Sequence, residues 1–482
     1  MMIYDVTIIG AGIIGTLLAH ELSKYDLKVL VLEKNNDVAC GASGANSAMI
    51  HSGHDPKPDT LKCKYNLEGN RMYPSLCEEL KVSYKNTGAF VVACGEEEEK
   101  KLDVLVEQCI NRDIPFELMD GDNARTLEPN LSDNITKVLS LPTTGIVTPW
   151  EVCYAAIEEA MLNETELRLN YKVETIKKKR NYFLINKEIQ TQVIVNCAGV
   201  ACDDVASMVR RKVPYKVEGK KGEYYVLDHS SDMFVNHIIY PVPSKKGKGV
   251  LVVPTTHKNI LLGPSSDLIK NKNDTSTMDG LDYVKVEVSK TVKNIPYNRM
   301  IRNFAGVRAS IDLDDFYIQE DNKVENFIHI AGIESPGLTA APAIAKDVCE
   351  NIILPKFDYK ERFIYVRREP VIKMNEMSDK ERDELIKTNP DYGKIICRCE
   401  NISLGEIKDS IHRKCGATTI KGVKMRCRPG MGRCQGSFCE SEVFKILKQE
   451  LNKDIKNIEY SEPKSRIASS IVKENLWESH IN

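Results

Sequence analysis

The opening stretch that ends at Glu33 constrains the fold more than any other part of the sequence. Tyr4 to Ile9 is a short apolar run, and Gly10, Gly12 and Gly15 form a G-x-G-x-x-G pattern. Thr16 to Lys24 then has helical spacing, and Lys28 to Leu32 is apolar again, ending at Glu33. That order describes a β-α-β unit. The glycines allow a tight turn and close backbone approach to a pyrophosphate at the helix N-terminus, and Glu33 can accept hydrogen bonds from a ribose. The glycine pattern alone is weak. Its place between a strand and a helix, with an acidic residue at the next strand end, makes it a dinucleotide site, for which FAD and NAD fit equally.

A chain of 482 residues is too long for one ordinary core and predicts two or three domains. With 42% hydrophobic and 28% charged residues it reads as globular, and no apolar run approaches the ~20 residues that span a bilayer. The N-terminal apolar stretch lacks a basic flank and cleavage site, so it reads as a first strand and the expected location is cytoplasmic, with membrane association only through a partner. A net charge of -2 gives no reason to expect nucleic acid. Fifteen cysteines without a secretion signal favour reduced thiols and metal ligation.

Four of these cysteines stand out. Cys397 and Cys399 form C-x-C, and Cys434 and Cys439 form C-x4-C. Four thiolates are the usual complement of a [2Fe-2S] cluster, with each tight pair able to hold one iron. Zinc is the alternative, although C-x-C is shorter than the usual knuckle spacing. Cys415 and Cys427 lie nearby and are extra to the pattern, Cys427 being the more plausible substitute ligand. Arg398, Lys424, Arg426, Arg428 and Arg433 surround the set, and either offset cluster charge or face an acidic partner. The other nine cysteines are scattered and read as packing residues.

Between these two signals, strands alternate with helices such as Glu151 to Met161 and Pro342 to Asn351, whereas about Val213 to Leu262 is strand-rich (EYYVLD, GVLVVP, NILLGP) and suits an antiparallel sheet. Trp150 and the tyrosines of EYYVLD read as packing. Residues about 366–392 look like a connector with a short helix at Ser378 to Lys387, about 393–451 form the compact cysteine domain, and about 452–482 form a tail.

CGASGANSAMIHSGHDPKPDTLKCKYN (residues 40–66) and AGIESPGLTAAPAIA (331–345) resemble the FAD-dependent glycerol-3-phosphate oxidases and dehydrogenases of the D-amino-acid oxidase-like superfamily, over about residues 1–365. L-2-hydroxyglutarate oxidases share much of this wording. The resemblance implies FAD as the dinucleotide, with Ser43, Asn46 and Ser47 along its phosphates and ring, and backbone donors at Gly332, Gly337, Leu338 and Thr339 near the flavin. It also implies that His51 faces the flavin as the catalytic base, with covalent attachment of FAD through a histidine of this region as the other option; His54 is a weaker candidate for substrate contact. Arg308 and Lys248 would hold the substrate anion. CRCENISLGEI and RCRPGMGRCQGSFC resemble the bacterioferritin-associated ferredoxin-like [2Fe-2S] domain.

The expected fold class is therefore α/β, with a Rossmann-like FAD-binding domain (about 1–85, 145–212 and 300–365), an antiparallel-sheet substrate domain (about 86–144 and 213–299) and a small helical [2Fe-2S] domain. The expected activity is FAD-dependent oxidation of a small anionic substrate, glycerol 3-phosphate first and L-2-hydroxyglutarate or another 2-hydroxy or amino acid second. Electrons would pass through the cluster to a second redox subunit or flavoprotein, unless the cluster domain is a structural docking module.

Overall fold

The structure, a computed structural model, describes residues 3–229, 234–243, 249–270 and 275–469. It divides into two compact units. The larger takes Met1–Leu32, Ala39–Leu167 and Val173–Val366, and the smaller takes Glu33–Val38, Arg168–Lys172 and Arg367–Asn482. Among the described residues, no helix is long and apolar enough to cross a membrane.

The elements of the larger unit that matter for the site are β1 (Ile3–Ile9), α1 (Ile13–Leu22), β2 (Val29–Leu32), α2 (Leu61–Glu79), β3 (Ile189–Asn196), β4 (Val217–Leu227), β5 (Met300–Ile311), β6 (Phe327–Ala331) and α3 (Gly337–Asp347). The β1-α1-β2 unit forms where the glycine pattern places it. β1 pairs in parallel with β2 and, on its other side, with β3, which pairs in parallel with β6. All four β2 residues and all five of β6 are buried, as expected for parallel strands covered on both faces. Nine of the ten α1 residues are buried, so its apolar residues are not confined to one stripe.

Helix α3 packs against both α1 and α2. The Thr60 hydroxyl caps α2 by accepting the Cys63 N–H, and the Asp315 carboxylate takes the Leu61 and Lys62 N–H groups at 2.7 and 2.9 Å. α2 and α3 pack so closely that a Cβ on Gly69 would lie 1.9 Å from the Thr339 carbonyl oxygen. Only glycine fits there.

Among the described residues the second sheet has nine strands and is antiparallel except where Ile238–Pro241 runs parallel to Ala89–Ala93. β4 is its spine, and β5, which the sequence groups with the dinucleotide-binding parts, pairs with it from Val217↔Ile311 to Leu227↔Met300. Odd-numbered β4 residues such as Tyr225 and Leu227 enter a core with Phe90, Ile239, Val252 and Leu262. Even-numbered ones, Lys220, Gly222 and Tyr224, line the opposite face.

The smaller unit is built on α4 (Leu404–His412), α5 (Ile420–Cys427) and α6 (Glu440–Glu450) around Ile407, Val423, Val443 and Leu447. A capping box fixes the start of α4: the Ser403 hydroxyl accepts the Glu406 N–H, and the Glu406 carboxylate accepts the Ser403 N–H at 2.8 Å. The connector stretch carries a helix at Asp379–Thr388 with its own capping box, Ser378 with Glu381. A buried bidentate pair ties α5 to the excursion after β2, with the Arg426 guanidinium donating to both Asp37 oxygens at 2.7 and 2.8 Å.

Candidate active site and cysteine centre

The glycines at the start of α1 make a cradle that a side chain would fill. A Cβ on Gly15 would sit 2.0 Å from the Gly10 carbonyl oxygen, and Gly10 itself has φ +107 with Cys197 O 2.5 Å from its would-be Cβ. The Ser43 hydroxyl accepts the Ile13 N–H at 2.8 Å, while the Ile14 and Gly15 N–H groups have no acceptor among the described residues. Those two donors at a helix N-terminus fit a pyrophosphate. Glu33 follows β2 directly in the chain; its carboxylate accepts from the Asn35 backbone and side-chain amides at 3.0 and 2.9 Å.

The segment after Ser43 is shaped by Asn46, whose amide donates to the Ala42 and Ser43 carbonyls and whose oxygen accepts the Ala48 N–H at 2.7 Å. His51 is buried and held by its backbone: its N–H donates to the Thr339 hydroxyl at 2.9 Å, and its carbonyl accepts from Asn70 at 3.0 Å. Thr339 therefore contributes a side chain as well as the backbone donor expected of it. Gly337, Leu338 and Thr339 form the first turn of α3. The Gly337 N–H donates to the Glu334 carbonyl and the Leu338 carbonyl accepts from Tyr73, which leaves the Leu338 and Thr339 N–H groups without acceptors among the described residues. Gly332 holds φ +75, where a Cβ would meet Ile311 at 2.6 Å. His54 is a structural histidine: Nδ1 meets the Ser52 hydroxyl at 2.9 Å and Nε2 meets Tyr240 at 3.3 Å.

Arg308 lies on the β5 face that carries Gly306 and Phe304. Its Nε donates to the Lys220 carbonyl at 3.4 Å and an Nη2 hydrogen to the Ser265 carbonyl at 3.1 Å. A Cβ on Gly306 would lie 2.0 Å from the Ala45 carbonyl oxygen, so this face abuts the Asn46–Ser47 segment. Tyr224 stacks on Phe304 with centroids 4.7 Å apart and meets the Ser47 hydroxyl; burial pushes its own hydroxyl up to about 12 against the pull of Arg308 and Ser47. Ser47, Tyr224 and Arg308 thus converge. Sequence reasoning missed Tyr224, together with Asn70; the period-2 alternation of EYYVLD was the available signal, because it sends Tyr224 and Tyr225 to opposite faces. Lys248 lies outside the described residues.

In the smaller unit Cys397 ends a short strand, Cys399 and Cys434 lie in turns, and Cys439 caps α6. All four belong to one site. The sulfurs of Cys399 and Cys434 are 3.4 Å apart, and the Cys397 and Cys439 thiols meet in a second contact. Two thiolates on one tetrahedral metal with bonds of about 2.3 Å lie about 3.8 Å apart, so the close pairs suit shared metal ions. The pairing differs from the one the spacing suggested: each close pair takes one cysteine from C-x-C and one from C-x4-C. Cys439 pulls the Cys397 thiol down to about 6; burial opposes this, and backbone N–H groups of Gly430, Glu400 and Cys399 assist it. Cys397 and Cys439 are buried and Cys399 is exposed. Cys427 donates to the Val423 carbonyl in the core, with burial pushing its thiol far up, and Cys415 lies beside Arg426, so neither joins the set. Of the surrounding basic residues, Arg426 is committed to Asp37 and Arg428 to Glu400, which leaves Arg398 and Arg433 exposed.

Residues 5–351 match the FAD dependent oxidoreductase family, and residues 395–449 match the BFD-like [2Fe-2S] binding domain. The chain belongs to the FAD dependent oxidoreductase family. Its cofactors are accordingly FAD and a [2Fe-2S] cluster, and both fit the residues present: the α1 and α3 donors for FAD, the four converging thiols for the cluster. Over 481 residues the chain is 43% identical to the glycerol 3-phosphate dehydrogenase of Caloramator mitchellensis, covering 98% of this chain and 100% of that one. It is 34% identical to the glycerol 3-phosphate oxidase of Mycoplasma genitalium over 73% of this chain and 96% of that one. Among solved structures it is similar to FAD-bound L-α-glycerophosphate oxidase from Mycoplasma pneumoniae, with a TM-score of 0.73 and 27% identity over 77% of this chain and 100% of that one.

Proposed function

We propose that this oxidoreductase converts sn-glycerol 3-phosphate to dihydroxyacetone phosphate. The observation that carries the proposal is the 43% identity to a glycerol 3-phosphate dehydrogenase along both units of the chain, not the flavin unit alone. FAD, when bound, supplies a two-electron hydride acceptor, and the cluster supplies a one-electron carrier from which electrons go on to a partner.

The chain's own residues bind, orient and take a proton. Gly10, Gly12, Gly15, Glu33, Ser43, Asn46 and Ser47 hold the dinucleotide, with the N–H groups at Gly332, Gly337, Leu338 and Thr339 near its ring. His51, fixed by Thr339 and Asn70, accepts the C2 hydroxyl proton at a ring nitrogen while the C2 hydrogen leaves as hydride. Arg308, and Lys248 with it, hold the phosphate. Two N–H groups of Arg308 are occupied by backbone carbonyls, which fixes the fork and leaves the others for the anion. Cys397, Cys399, Cys434 and Cys439 ligate the cluster.

The test is anaerobic mixing of the FAD- and iron-loaded protein with glycerol 3-phosphate, L-2-hydroxyglutarate or amino acids, following flavin bleaching. Fast bleaching by glycerol 3-phosphate, slowed by about 10²–10⁴ in His51→Ala, is expected. Bleaching by a carboxylate substrate alone would overturn the proposal.

A further inference from the structure

β4 carries two consecutive lysines with opposite fates. Lys221 points into the core side, where its ammonium meets the Glu223 carboxylate at 2.5 Å and the Thr275 carbonyl at 3.2 Å. Its charge is neutralised within the fold. Lys220 points to the other face and stands directly opposite Arg308 in the antiparallel ladder.

Directly opposed side chains in such a ladder have Cβ atoms about 5 Å apart, and two like charges placed so destabilise the sheet unless an anion lies between or beside them. Among the described residues neither Lys220 nor Arg308 forms an ion pair with a carboxylate. The next pair along the same face is Gly222↔Gly306, with no side chain at all, and the one after is Tyr224↔Phe304. The Arg308 guanidinium lies beside Gly222, 3.3 Å from where its Cβ would be, with Pro264 at 2.7 Å closing the same position. The face therefore carries two cations, a glycine pair closed over by Pro264 and the Ala45 carbonyl, and a phenol beside Ser47.

We infer that Lys220 is a second substrate-anion residue, which with Arg308 forms a dicationic seat selecting a phosphate dianion over a singly charged group. The inference rests on the glycerol 3-phosphate reading and adds a residue that the family-like motifs do not mark. Charge balance gives its logic: a seat of two positive charges is matched by a phosphate monoester above its second ionisation, near pH 6, and is half-neutralised by the monoanion below it. Lys220 is a binding and specificity residue, and takes no part in proton or hydride movement.

The experiment is anaerobic flavin bleaching by glycerol 3-phosphate across pH 5.5 to 8 in the full-length, FAD- and iron-loaded protein, comparing wild type with Lys220→Met, Lys220→Gln and Lys220→Arg; these pH limits bracket the second ionisation of about 6. The half-saturating concentration should rise at least about tenfold in Lys220→Met and Lys220→Gln, with the limiting rate within about threefold, and Lys220→Arg should restore it. The wild-type decline in affinity below about pH 6 should flatten in the neutral variants, which a merely structural lysine would not cause. Inorganic phosphate should compete with substrate in wild type and lose that effect in Lys220→Met. A half-saturation unchanged within about twofold in either neutral variant would overturn the inference, as would retained competition by phosphate. If one variant does not hold FAD, the other neutral variant and Lys220→Arg decide. Should wild type bleach only with L-2-hydroxyglutarate, the substrate reading fails at that step, before any Lys220 variant is compared.

Discussion

The two sites of this chain are assembled in opposite ways. In the larger unit the groups that converge come from far apart in sequence: the His51 N–H reaches the Thr339 hydroxyl across 288 positions, and Gly306 abuts Ala45. In the smaller unit four thiols come from two short segments, and each close pair takes one thiol from each, as in Cys399 with Cys434 across 35 positions. A long-range site needs backbones brought almost into contact, so it depends on glycines where no other residue fits. A local site depends on its own turns and on the packing inside the unit that carries them.

Four perturbations sharpen that contrast. The largest concerns an ion pair inside the smaller unit. Asp37→Ala leaves the buried Arg426 guanidinium without its bidentate partner, and we expect the melting transition that accompanies loss of cluster absorbance to fall by about 3–5 kcal/mol, measured by urea titration. The flavin band should persist to higher urea. Next is Gly69→Ala, where the new Cβ would collide with the Thr339 carbonyl; a loss of about 2–3 kcal/mol with loss of flavin is expected, while Gly41→Ala, with nothing within 4 Å, should be neutral by the same titration.

Thr339→Val removes only the acceptor of the His51 N–H. It should cost about 1–2 kcal/mol of stability and slow flavin bleaching in stopped-flow while cluster absorbance is unchanged. The gentlest probe is pH. Burial pushes the Asp321 carboxyl up, but hydrogen bonds from His329, Arg210 and the backbone of Lys323 and Val324 overcome it and hold it at about 2, below its ordinary 3.8. A group with a depressed folded value stabilises above the unfolded value and loses that contribution as pH falls through the folded one. The stability gap between wild type and Asp321→Asn should therefore be full above pH 3.8 and close as pH falls to about 2, read as urea midpoints.

The contrast also explains what could be read from the sequence. The β1-α1-β2 unit and the four-cysteine set were legible because each is local: a periodicity, a glycine spacing, a pair of tight cysteine spacings. The antiparallel sheet was legible as a class, but not the partnership of β4 with β5, since that register joins residues about eighty positions apart. Without it, Tyr224 and Lys220 look like ordinary strand residues. Asn70 and the Thr339 side chain were invisible for the same reason, because what they hold is the backbone of a distant histidine. The cross-pairing of the thiols was hidden although the cysteines were not. Spacing shows which thiols are near in sequence, and the glycine-rich turn at Gly430 to Gly436 decides which meet in space.

The central claim is that one chain couples substrate oxidation at the flavin to one-electron transfer through the cluster. The direct measurement is anaerobic mixing of the fully loaded protein with glycerol 3-phosphate in a stopped-flow instrument, with matched samples freeze-quenched for electron paramagnetic resonance. The account predicts flavin bleaching followed, within the same turnover, by the signal of a reduced [2Fe-2S] cluster, with both lost in His51→Ala. A bleached flavin beside a cluster that stays oxidised, including in the presence of the electron-accepting partner, would contradict it and leave the smaller unit as a docking module.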